Sequence, residues 1–81
     1  MSSETTLERA MKDADNGKLD AALSSVRLLI KRKPQDLDAV QIFGMLLMKA
    51  GEMAQAIHHL GRAVAAAPNV TAYRNNYANA L

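Results

Sequence analysis

Residues 37–70 read LDAVQIFGMLLMKAGEMAQAIHHLGRAVAAAPNV, and their punctuation decides the fold. Two apolar runs of helical period are separated at Gly51 and closed at Pro68. The first, from Leu37 to Ala50, is apolar nearly all round and leaves one narrow stripe of Asp38, Gln41 and Lys49. A helix of that composition is covered on several sides. The second places Met53, Ala56, Ile57, Leu60, Ala63, Val64 and Ala67 at helical spacing. Gly51 is free to take the left-handed conformation that ends a helix, and Pro68 cannot continue one.

Working outward, the same punctuation recurs 34 residues away. Gly17 precedes Gly51 at that offset, Pro34 precedes Pro68, and Ala22 precedes Ala56. Leu23 then pairs with Ile57, Val26 with Leu60 and Ile30 with Val64, so the apolar phase is kept. Upstream, Leu7, Ala10, Met11 and Ala14 form the stripe of a first helix, with Thr5 and Glu8 spaced as a capping box at its start. A second helix carries Leu19, Ala22, Leu23, Val26, Leu29 and Ile30. Lys31, Arg32 and Lys33 suit the negative end of its dipole before Pro34 stops it. Downstream, a fifth helix starts near Thr71, where Phe43, Gly44 and Leu47 are matched by Tyr77, Ala78 and Leu81. Asn69-Val70-Thr71 has the form of a glycosylation acceptor; without a secretory signal it is read as the cap of that helix.

Two helices per 34 residues, with Gly at the inner turn and Pro at the outer one, resemble the tetratricopeptide repeat (TPR) family. Val40, Phe43, Gly44, Leu47, Ala56, Leu60, Ala63 and Pro68 carry the likeness. It implies an all-α fold of about five helices, antiparallel pairs stacked as a short right-handed αα-solenoid. Residues 1–81 then form one domain, with repeats over 3–36 and 37–70 and a partial repeat over 71–81. Arg9 and Asp13 stand where the repeat expects large apolar residues. That departure suits a terminal repeat, whose first helix needs a polar outer face.

The bulk numbers narrow the function. Eighty-one residues allow one modest core, burying about 60–65% of the unfolded chain's surface. Net charge is only +2, and cysteine is absent, which removes disulfide and thiol chemistry. The N-terminus is polar and acidic, unlike a secretory signal, and no apolar run reaches the roughly 18 residues that span a bilayer. A cytoplasmic protein with no membrane partner is expected. His58 and His59 point about 100° apart on a helix, so they are read as surface histidines and not a metal pair. The Lys31–Lys33 cluster lacks aromatic interleaving and has Asp36 and Asp38 nearby, so no nucleic acid is expected. Gly44, Gly51 and Gly61 form no phosphate-cradling loop, and no nucleophile, base and orienting group assemble. The expectation is a protein that is not an enzyme and needs no cofactor or metal.

What the resemblance implies is a protein-interaction scaffold or adaptor whose leading helices line a concave groove for a peptide or helix. Carried onto this chain, the groove comprises Leu7, Met11, Ala14, Asp38, Gln41, Met45, Met48, Lys49, Asn75, Asn76 and Asn79. The polar stripe of the third helix picks the same face. Met45 and Met48 either adapt to apolar ligand side chains or pack on neighbouring helices, and the sequence leaves both open. The charged clamp of the chaperone-binding members is missing: Leu7, Met11, Ile42, Ala72 and Asn76 occupy its positions. An alternative is the recognition arm of a larger transferase. The repeats resemble those preceding bacterial glycosyltransferase or sulfotransferase domains, and NNYANAL is similar to the NNLGNAL of O-linked N-acetylglucosamine transferases. Asn76, and more loosely Asn79, would then contact substrate, although Ile42 interrupts that asparagine ladder. Finally, Tyr73, Tyr77 and Leu81 are expected to expose an apolar side of the fifth helix, through which the chain forms a homodimer.

Overall fold

The computed structural model describes the backbone of residues 3–81, with side chains from Thr6 onward. Five α-helices follow one another: α1 (Ser3–Asp15), α2 (Leu19–Arg32), α3 (Leu37–Lys49), α4 (Met53–Ala66) and α5 (Thr71–Ala80). No strand occurs among the described residues. The two inner turns are built alike. Gly17 and Gly51 take φ of 82° and 81°, the only positive values described. At the first turn Gly17 N–H donates to the Ala14 carbonyl and Lys18 N–H to that of Asp13. At the second, Gly51 N–H donates to the Met48 carbonyl and Glu52 N–H to that of Leu47. This paired bonding satisfies carbonyls at a helix end that have no partner within the helix. The sequence period is therefore also a period of backbone geometry.

A methyl group added at Gly51 would meet nothing within 4 Å, so only the backbone resists it. Gly51→Ala is expected to cost about 1 kcal/mol, the penalty of a left-handed non-glycine residue. A melting temperature lowered by about 4–8 °C would register it, and an unchanged one would remove the conformational argument.

Helix starts are less uniform. Asp36 caps α3, its Oδ1 accepting from Ala39 N–H at 3.2 Å. The sequence expectation for α5 needs correction: Val70 occupies its N-cap, with no side-chain cap bond, and Asn69 lies one residue too early. Thr5 is likewise not a cap, because α1 already begins at Ser3; its side chain lies outside the described residues.

Small residues set how closely the helices pack. Ala10, Ala22, Ala39, Ala56 and Ala63 are all fully buried, and between them sit Val26, Val40, Leu47 and Leu60. Gly44 extends the rule. A Cβ there would lie 2.6 Å from both Cγ and Cδ2 of Leu60, so α3 and α4 approach only because the position has no side chain. Helix α3 touches all four other helices, which explains its nearly continuous apolar sequence. Consecutive helices pack on one another, and α1–α3 and α3–α5 also meet. In contrast, α2 and α4 have no Cα atoms within 8 Å. A stack whose odd helices touch while its even helices splay bends toward the odd ones.

Candidate functional site

The inner face of that bend is built from α1, α3 and α5. Two polar contacts tie its helices together at about one repeat of separation. Lys49 Nζ lies 3.5 Å from Asp15 Oδ1, joining the ends of α3 and α1. Both groups are exposed, so the pair contributes little to stability. Tyr73 Oη–H donates to Asp38 Oδ1 at 2.7 Å, joining α5 to α3. Between α1 and α3 lies a small cleft of ≈ 60 Å³, lined by Met11, Ala14, Ile42, Met45 and Leu46, with Asp15 and Lys49 at its rim. A cavity of this size takes a branched aliphatic group and no more.

The structure brings together only part of the residue set expected from sequence. Met11 is 46% exposed and shares the cleft with half-buried Met45. Asp38 and Lys49 are exposed on the same helix face, and Gln41 is half-buried. Gln41 Oε1 is sealed from solvent and accepts no hydrogen bond. Met48 is half-buried and packs against the core. Asn75 and Asn79 are exposed on α5, and Asn76 is half-buried. Leu7 requires correction: at 7% exposure it belongs to the core and offers no groove surface. Ile42 and Leu46 are cleft residues absent from the expected set. Ile42 was within reach of sequence reasoning, since it stands three residues before Met45 and four after Asp38.

Tyr73 is the larger correction. It was expected on an exposed dimer face, but it is 7% exposed and packs with Val40 and Ala63. Its phenol group is pushed up to about 12, first by burial, then by its bond to Asp38 and the negative charges of Asp38 and Asp36. A group whose pKa is raised by folding stabilises fully below its unfolded value, about 10 for a phenol. That contribution is lost as the pH rises through about 12. Tyr73→Phe is expected to cost about 1 kcal/mol near neutrality, modest because Asp38 remains in water. Its melting deficit relative to wild type should shrink above pH ~10. A deficit that grows there would mean the hydrogen bond is wrongly assigned.

On the other side of α3, the two histidines differ from each other. His58 is exposed, as expected for a surface residue. His59 is not an ordinary surface histidine. It packs edge-on against Phe43 with ring centroids 4.9 Å apart, and its Nδ1 is sealed with no hydrogen-bond partner. Its pKa is lowered, chiefly by burial and then by the charges of His58, Arg62 and Arg27. No group of three potential ligands that could hold a metal ion occurs among the described residues.

The profile of the tetratricopeptide repeat matches residues 5–80. The chain belongs to the TPR family. No curated protein matches it. TPR repeats generally mediate protein–protein interaction, and the family is typically non-catalytic. Among the described residues no helix is long and apolar enough to cross a membrane.

Proposed function

We propose that this TPR protein is a non-catalytic interaction module whose α1–α3–α5 face holds a peptide or helix from another protein. The supporting observation is the pairing of that inward-bent face with the Met11–Met45 cleft, which is apolar, open at the surface and sized for one aliphatic side chain. Thioether side chains adapt to different apolar groups, which suits a cleft that reads size more than shape. Selection of binding sequences from a displayed peptide library tests the reading. Peptides bearing one aliphatic anchor should emerge, and Met45→Glu should weaken them by at least about tenfold with its helical content unchanged. Selected peptides that bind Met45→Glu as well as wild type would overturn it.

A recognition arm within a larger transferase is the second reading, and Ile42 weighs against it. The position equivalent to Asn76 is apolar and lines the cleft, and that equivalent to Asn79 is Met45, so neither of these asparagines has an amide counterpart on α3.

We also propose self-association through α5, with Tyr73 removed from the surface. Tyr77 is half-buried against Gly61, Ala78 is exposed and Leu81 is 73% exposed. Their equivalents Phe43, Gly44 and Leu47 are all buried beneath α4 and its neighbours. A dimeric mass by light scattering at about 100 μM is expected, corresponding to micromolar association. A strictly monomeric mass would count against this surface.

A further inference from the structure

The convex side of the molecule carries a second feature, which does not rest on the groove reading. Helices α2 and α4 have no Cα atoms within 8 Å of each other, and between them lies a furrow lined by Leu23, Ser24 and Arg27 of α2 and by Gln55 of α4. Its charge is one-sided. From Ala21 to Gln35 the chain has Arg27, Lys31, Arg32 and Lys33 and no acid; from Met53 to Leu81 it has Arg62 and Arg74 and no acid. Of the acids, Asp20 and Glu52 stand together at one end, where both helices begin, and Asp36 follows Gln35 at the other.

Beneath the Arg27 cation lies a row of rings. The Arg27 guanidinium lies 5.4 Å from the Phe43 ring centroid, Phe43 meets His59 at 4.9 Å, and His59 meets His58 at 5.2 Å. Arg62 follows three and four residues after the histidines, on the same side of α4. Among the described residues, neither Arg27 nor Arg62 is in an ion pair. Arg62 also borders a hollow of ≈ 560 Å³, lined by Pro34, Gln35, Leu37, Ala65 and Ala66, and is its one charged lining residue. Leu28, 61% exposed on α2, adds apolar surface one residue from Arg27.

We propose that this furrow is a docking surface for an acidic segment of another protein, with carboxylates meeting Arg27 and Arg62 and an adjacent apolar side chain entering the Pro34–Leu37 hollow. Charge complementarity selects the partner. A nucleic acid fits less well. Single strands need several exposed aromatic rings for base stacking; Phe43 and Tyr73 are buried and Tyr77 is half-buried against Gly61, which leaves His58 as the one exposed ring. A continuous phosphate backbone would also cross Asp20 and Glu52. A second copy is disfavoured too, because α1 intersperses Arg9 and Lys12 among its acids and offers no uniformly acidic strip.

The test uses a labelled decapeptide of glutamates around a central pair of leucines, followed by fluorescence anisotropy at low salt and by amide chemical shifts. Binding should move the amides of α2 and α4 around Arg27, His58 and Arg62. Arg27→Glu with Arg62→Glu should weaken it by at least about tenfold, whereas Arg9→Glu with Lys12→Glu, an equal change of charge on α1, should alter it less than about twofold. Because Arg27 rests on Phe43, Lys31→Glu with Arg62→Glu provides a second variant should the first lose helical circular dichroism. Equal weakening by the α1 pair, or shifts confined to α1 and α3, would overturn the proposal. So would no binding at a protein concentration of about 1 mM, or tighter binding of a uridine decamer at the same amides.

Discussion

Leu60→Ala is expected to remove about 3 kcal/mol of folding stability, within the usual 2–5 kcal/mol for a fully buried leucine. Leu60 has no exposed surface and packs where α4 crosses α3. Its loss strips away transfer free energy and leaves a cavity whose walls are helices held by other contacts. The neighbouring Ala56 and Ala63 are too small to swing into the gap. A chain of 81 residues has a total stability of roughly 4–12 kcal/mol, so this one change removes a large part of it. A fall of about 15 °C in melting temperature is expected, with urea unfolding giving the free energy directly. A fall under about 4 °C would show that the α3–α4 contact is not the central one.

That contact also explains what the sequence revealed. Helix existence was legible because apolar spacing and Gly/Pro punctuation are local signals, and both repeated at 34 residues. The least covered face of α3 was legible in part: of the stripe Asp38, Gln41 and Lys49, the two charged residues are exposed while Gln41 is half-buried. Leu7 was misplaced because a helix with a stripe of only Leu7, Ala10, Met11 and Ala14 does not say which edge its neighbour covers. Tyr73 was misplaced for a different reason. Its ring packs on Val40 and Ala63 and its hydroxyl bonds Asp38, 35 residues away, and no local pattern encodes partners at that distance. The row from Arg27 through Phe43 to His59 unites three helices, so no single helical period contains it.

Gly44→Ala on its own is expected to cost about 2 kcal/mol, against the normal preference for alanine within a helix. The new Cβ would fall 2.6 Å from Leu60 Cγ, an atom near the root of a side chain that is sealed on every side. Leu60 cannot rotate away, so α3 and α4 must separate or the leucine must leave its rotamer. The helix preference returns about 1 kcal/mol of the steric cost, leaving the net destabilisation stated. In the Leu60→Ala background the obstructing atoms are gone. There Gly44→Ala should become stabilising by about 1 kcal/mol, as the methyl group fills part of the cavity and the helix preference is no longer opposed. The two substitutions should therefore couple by about 3 kcal/mol in a double-mutant cycle, the upper end for residues in contact. Additivity within about 0.5 kcal/mol would mean that Gly44 serves some purpose other than admitting Leu60. A sign reversal would identify this pair as what sets the distance between α3 and α4. The spacing of His59 on α4 from Phe43 on α3, and with it the row of rings beneath Arg27, depends on that distance.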